Sequence, residues 1–249
     1  SQTYKNGERV APLVLIVGNF TRPNGNEPAL LSTDETETFF HEFGHALASL
    51  LKDVNYYGVG GMTRDFVELP SQIMEHWAFE PQVLKEYAKH YQTGEVIPQE
   101  LVDKIVNAGK YGQGFATTEY LAASLLDMDF HILKEIPADL DVNAFESKVL
   151  GDRGLVSQIP PRYRSTYFSH TFGGGYTAGY YSYIWAEVLD SDAYQAFVET
   201  GDIFNKEVAT KFRKEILARA GQDEAMTLYV NFRGKEPGID PLLKNRGLK

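Results

Sequence analysis

The 249-residue chain contains no cysteine. That excludes disulfides, thiolate metal sites and a cysteine nucleophile, and it leaves the redox compartment open. Long hydrophobic runs are missing too. The longest, residues 12–17, is strand-sized and far short of the roughly 20 residues that span a bilayer. Positive charge is scarce: 24 Lys and Arg face 34 Asp and Glu, a formal net charge of −10. Such a surface repels phosphate backbones, so neither nucleic acid nor a membrane is an expected partner. There is no internal repeat, no low-complexity segment and no composition break that would mark a domain boundary. No leader is legible at Ser1, and a first residue other than Met admits processing or truncation.

What is present is ordinary for a globular protein, with 43% apolar and 23% charged residues. The length suffices for a substantial core. Residues 13–17 (LVLIV) read as a short strand, and residues 21–28 (TRPNGNEP) as turn chemistry. Ser32 followed by Glu35 reads as a capping box opening a helix over about 34–52. A second helix is expected from near Phe66 to near Pro81, and helical patterning returns over 98–135, broken near 109–114. Two further helices are expected over 180–197 and 204–220, with an irregular tail from 237. The predicted fold is mainly α, multi-helix, with a small β element.

His41-Glu42-Phe43-Gly44-His45 is an H-E-x-x-H motif. Positions four apart on an α-helix share a face one turn apart, so both imidazoles can reach one metal ion. Glu42 lies beside them and can take a proton from an activated water. The extended motif with a third histidine fails, because Ala48 and Leu51 occupy its Gly and His positions. A carboxylate from a second helix is then the expected third ligand, completing a zinc site of two His and one Glu with one open position. Asp53, Asp65, Glu68, Glu75 and Glu80 are the candidates. Asp53 is too near along the same helix to fold back, and Glu68 and Glu75, about two turns apart, share a face. Spacing alone does not choose between those two.

The stretch TFFHEFGHAL at 38–47, followed by RDFVELPSQ at 64–72, resembles the thimet oligopeptidase and neurolysin family of zinc metallopeptidases. The second stretch and GGGYTAGYYSY at 173–183 are most similar to its bacterial peptidyl-dipeptidase branch, Dcp. The resemblance implies Glu68 as the third ligand, one Zn2+ per chain, and a helix-face or supporting role for Glu75. Glu37, one turn before His41, and Asp65 are candidates to accept a ligand imidazole's second N–H. Tyr176, Tyr180 and Tyr183 recur at helical spacing, a pattern that by itself suits core packing. The resemblance assigns His170 and Tyr176 to substrate contact and Tyr183 to stabilising an oxyanion. Tyr180 is a further substrate-side candidate.

The resemblance implies a zincin-type catalytic domain, with the small β element beside its active site, in a peptidase that releases C-terminal dipeptides from oligopeptides. An oligopeptidase cutting internal bonds is the alternative, and a zinc-binding fragment that is inactive alone is another. Family members are well over twice as long. The chain is therefore expected to be a C-terminal catalytic portion, residues 1–249, whose partners are short peptides and the N-terminal helical part of the same protein. The implied setting is the cytoplasm or periplasm of a bacterium. Release from a free C-terminus needs a cation or donors near the substrate carboxylate, and Arg162 and Arg164 lie near the aromatic segment, in a direction that the sequence does not give.

Overall fold

The computed structural model describes residues 3–56 and 58–249, and it is mainly helical. The chain divides into two compact units, Ser1–Gly109 with Ala186–Lys249, and Lys110–Trp185. The sequence carries no composition break at either junction. One junction follows Gly109, and the other falls between Trp185 and Ala186 inside a continuous helix, where no linker composition could betray it.

The first unit opens with an antiparallel hairpin of β1 (Thr3–Lys5) and β2 (Glu8–Val10), Thr3 opposite Val10. The strand expected at residues 13–17 is not formed. Leu13, Leu15 and Val17 are 86%, 80% and 85% exposed, and among the described residues this segment pairs with no strand. A β-branched run becomes a strand only where a neighbour completes its hydrogen bonds, and composition cannot supply that neighbour.

Helix α1 (Thr33–Leu51) starts as expected. The Ser32 hydroxyl accepts from the Glu35 amide at 3.1 Å, and the Glu35 carboxylate accepts from the Ser32 amide at 2.9 Å. Such caps contribute about 1 kcal/mol. The second helix forms where expected, as α2 (Leu69–Ala78), and a further helix, α3 (Pro81–Tyr87), follows it; each is opened by a proline in its first turn. After α4 (Gln99–Ala108), the unit resumes within α8 (Ser182–Val198), followed by α9 (Lys206–Phe212) and a π-helical turn, Arg213–Leu217. Two more helices close it, α10 (Ala225–Arg233) and α11 (Asp240–Asn245). The tail is therefore not irregular: Pro241 at the start of α11 initiates a helix rather than ending one. Leu69, Ile73, Leu189, Ile216, Leu228 and Tyr229 are all essentially inaccessible. The Tyr229 hydroxyl donates to Asp192 Oδ2 at 2.7 Å, and Arg233 bonds Asp192 and Glu199, tying α10 to α8.

In the second unit α5 (Gln113–His131) is the axis. Ala122 and Leu126 pack with Leu150 of α6 (Val142–Asp152), against Phe130, Phe145 and Val149. A different face carries Ala123, which packs with Phe168, Tyr180 and the rings of Tyr120, Tyr163 and Tyr183. A 3₁₀ turn, Ser165–Tyr167, and the short α7 (Ser169–Phe172) lead into the glycine-rich turn before α8. No helix among the described residues is long and apolar enough to cross a membrane.

Candidate metal centre and tyrosine cluster

The first site begins with a glycine. A Cβ on Gly44 would lie 2.2 Å from the Pro70 carbonyl oxygen and 2.5 Å from Ser71 Cα. Only the bare backbone lets α1 pack this closely on the start of α2. The approach brings Glu68, the N-cap residue of α2, over the histidine face of α1. Glu68 Oε2 sits 3.3 Å from His41 Nε2 and 3.2 Å from His45 Nε2. The Ser71 hydroxyl lies 2.9 Å from that same carboxylate oxygen, which orients it. Glu68 is 2% exposed, while both histidines are half buried.

These three residues form a group able to hold a metal, with ligand atoms all within 4.8 Å of one another. The dimensions fit. A tetrahedral ion with bonds of about 2.0–2.1 Å separates its ligand atoms by about 3.4 Å, close to the two separations found here. The donor set of two imidazole nitrogens and one carboxylate oxygen suits zinc. A carboxylate this deeply buried also needs a cation beside it.

Glu75 Oε1 lies 2.5 Å from His41 Nδ1, so the ring is held between two carboxylates. Burial disfavours a charge on His41, yet hydrogen bonds to Glu68 and Glu75 outweigh it and raise the ring's pKa to about 10. The electrostatics at Nε2 therefore favour positive charge, whether a proton or a metal ion supplies it. A carboxylate on the far nitrogen fixes the ring's orientation and its tautomer. That acid is Glu75, which corrects the expectation for Glu37 and Asp65: among the described residues neither bonds a ligand histidine. Glu37 instead has its pKa raised to about 7, by burial first and then by the negative charges of Glu75 and Asp34. Glu68 and Glu75 do share a face, as their spacing required, and they take opposite nitrogens of one ring. Glu80 is engaged elsewhere, accepting from the Tyr194 hydroxyl at 2.6 Å. Glu42 is half buried on α1 and makes no hydrogen bond among the described residues, so its carboxylate is uncommitted.

The second site lies in the second unit. The His170 ring is 6.1 Å from Tyr176, 5.7 Å from Tyr180 and 6.2 Å from Tyr183, centroid to centroid. Tyr176 stacks on Tyr183 at 5.1 Å. The three tyrosines do converge, but not along a helix face. Residues 177–181 form a turn and α8 starts only at Ser182. The convergence comes from backbone bonds: the Tyr176 amide donates to the His170 carbonyl at 2.9 Å, and the Gly179 amide to the Tyr176 carbonyl at 2.9 Å. Arg164 is taken up by the buried Glu146, leaving the more exposed Arg162 beside Glu119 at 4.0 Å. His76 is bound to Asp190 at 2.6 Å and stacked on Tyr194, and His131 is bound to Asp127, so both are structural.

Sequence reasoning gave no weight to Gly44, although a small residue between metal-ligating positions is a legible sign of a close helix crossing. It also passed over Tyr120 and Asp127, for which no local signal exists.

Residues 1–248 match the model of Peptidase family M3, and the chain belongs to that family. It is 47% identical over 240 residues to dipeptidyl carboxypeptidase of Escherichia coli, covering 95% of this chain and 35% of that protein. It is 41% identical over 249 residues to oligopeptidase A of the same organism, covering 98% and 36%. Against saccharolysin of Saccharomyces cerevisiae it is 33% identical over 247 residues, covering 97% and 34%. The chain thus spans about a third of the length of the curated relatives it matches.

Proposed function

We propose that this member of Peptidase family M3 is the metal-bearing part of a zinc peptidase that releases dipeptides from the free C-termini of short peptides. The observation that carries the reading is the convergence of His41, His45 and Glu68, with Glu75 behind His41. In this reading those three residues hold one zinc ion, which supplies a Lewis acid for the scissile carbonyl and for water. Glu42 takes the proton from the attacking water and returns it to the leaving amine, a transfer that its uncommitted carboxylate permits. Tyr183 donates its hydroxyl to the carbonyl oxygen as negative charge develops there. His170 and Tyr176 hold the peptide, with Tyr180 packed beneath them. The rest of the protein supplies the surfaces that orient the peptide.

Supporting dipeptide release are the likeness to dipeptidyl carboxypeptidase and the glycine-tyrosine turn at 173–183. The likeness to oligopeptidase A over the whole chain favours a second reading, cleavage of internal bonds. One experiment separates them. The full-length protein is given one peptide with a free and with an amidated C-terminus, with and without chelator, and the products are weighed by mass spectrometry. Dipeptides from the free form only, lost on chelation, are expected. Equal cleavage of both forms would establish the second reading, and chelator-insensitive cleavage would overturn the metal assignment.

A further inference from the structure

In a regular α-helix each amide donates to the carbonyl four residues back, so the first such bond closing the turn ahead of Tyr183 would run from Ile184 to Tyr180. It is not made directly. The Tyr120 hydroxyl stands between them, donating to the Tyr180 carbonyl at 2.5 Å and accepting from the Ile184 amide at 3.2 Å. One residue later the ordinary pattern holds, with the Trp185 amide on the Tyr181 carbonyl at 3.2 Å. Ile184 is the third residue of α8, one of the first amides that have no acceptor inside the helix, so the Tyr120 hydroxyl caps the start of α8 and ties it to the turn before it. Tyr183 lies between the two tied groups.

Two turns along the same face of α5 lies Asp127, seven residues from Tyr120. It is fully buried, and its two oxygens accept from the Ala178 amide at 3.0 Å and the Tyr180 amide at 2.9 Å. Ala178 is held at a φ of 51°, a left-handed conformation that costs a non-glycine residue free energy. Those two bonds offset that cost. His131 Nδ1 lies 2.7 Å from the Asp127 carbonyl oxygen and 3.0 Å from its Oδ1.

We propose that Tyr120 and Asp127 are positioning residues. Asp127 sets the turn at 178–180, and Tyr120 caps the start of α8, so that the Tyr183 hydroxyl is presented to substrate. The inference rests on the reading of Tyr183 as the oxyanion donor. Neither residue touches substrate. Both act through the backbone on either side of Tyr183.

The test is made on the full-length, metal-loaded protein with Tyr120→Phe, Tyr183→Phe and the double variant. Tyr120→Phe removes one oxygen and keeps the ring, so the fold and the metal content should persist. It lets Ile184 bond Tyr180 directly and rotates Tyr183. A misplacement of this kind lowers kcat about tenfold to a hundredfold, with a much smaller change in KM. In the Tyr183→Phe background the same change should cost less than about threefold, because the group it positions is already gone. An undiminished kcat in Tyr120→Phe, or an equal loss in both backgrounds, overturns the proposal. Should Tyr183→Phe itself keep full kcat, the donor reading falls, and the crystal structure of Tyr120→Phe decides the positioning claim alone. A direct Ile184–Tyr180 bond with a displaced Tyr183 ring sustains it, and an unmoved ring ends it.

Discussion

The two functional clusters are held by opposite physics. His41, His45 and Glu68 form an electrostatic cradle in which a buried carboxylate and a second acid, Glu75, bracket one imidazole. That arrangement is stable only with positive charge at its centre. The cluster of His170, Tyr176, Tyr180 and Tyr183 is aromatic and carries no acid among its members. Stacked rings and backbone amides build it, and the buried carboxylate beside it, Asp127, is satisfied by two N–H groups. The first cluster should therefore answer to metal, pH and charge substitutions, and the second to changes of shape and single hydroxyls.

The largest expected effect tests the first cluster's division of labour. Glu42→Gln should lower turnover by about two to four powers of ten, the range of general-base contributions. Its zinc content, measured by metal analysis, should stay at the wild-type level, because Glu42 holds no ligand atom in the group. Loss of zinc in this variant would make Glu42 a ligand and dissolve the assignment. Next, Tyr183→Phe in the full-length protein should lower kcat by about two to three powers of ten with KM little changed. Zinc content should again be unaltered, which is the mark of a cluster that does not depend on the ion.

Metal affinity sharpens the contrast further. Glu75→Ala should weaken zinc binding about tenfold to a hundredfold, the usual effect of removing a carboxylate behind a ligand histidine. Glu68→Ala should weaken it more. Competition with a chelator measures both, and the reverse order would exchange the roles of the two acids. Gly44→Ala should cost about 1–3 kcal/mol of stability by overpacking the crossing of α1 and α2. It should also weaken zinc binding, although no ligand has changed. An unaffected affinity would show that the crossing does not set the ligand geometry.

The smallest effect concerns Glu37, whose pKa rises from 4.5 to about 7 in the folded protein. The folded state then binds a proton that the unfolded state releases between those values. Stability from this group is present at low pH and declines as pH climbs through the window. In metal-free protein, Glu37→Gln should match wild type near pH 5 and exceed it near pH 8, by about 1–2 kcal/mol given the partial exposure of the side chain. Thermal melts at the two pH values measure it. An equal gain at both would point to packing instead.

Local signals carried some of this a long way. The Ser32–Glu35 capping box opens α1 as its residues require, and the spacing of His41 and His45 places both rings on one face. Both are short-range properties of a single helix. The run at 13–17 shows the opposite case. Its residues favour a strand, but a strand is a relation between two segments, and among the described residues the second is absent. The unit boundary inside α8 failed for a similar reason, since an uninterrupted helix carries no linker composition.

By itself, then, the sequence determined several helices, the cap of α1 and the pair of imidazoles four residues apart, because backbone hydrogen bonds over three or four residues decide such features. It narrowed the partner acids to Glu68 and Glu75 and no further. Which acid meets which nitrogen followed from how closely α1 and α2 pack at Gly44. That Tyr120, 60 residues from Tyr180, should hold its carbonyl was decided likewise by packing. Contacts between distant segments depend on the excluded volume and burial of the whole chain, and no local pattern of residues encodes them.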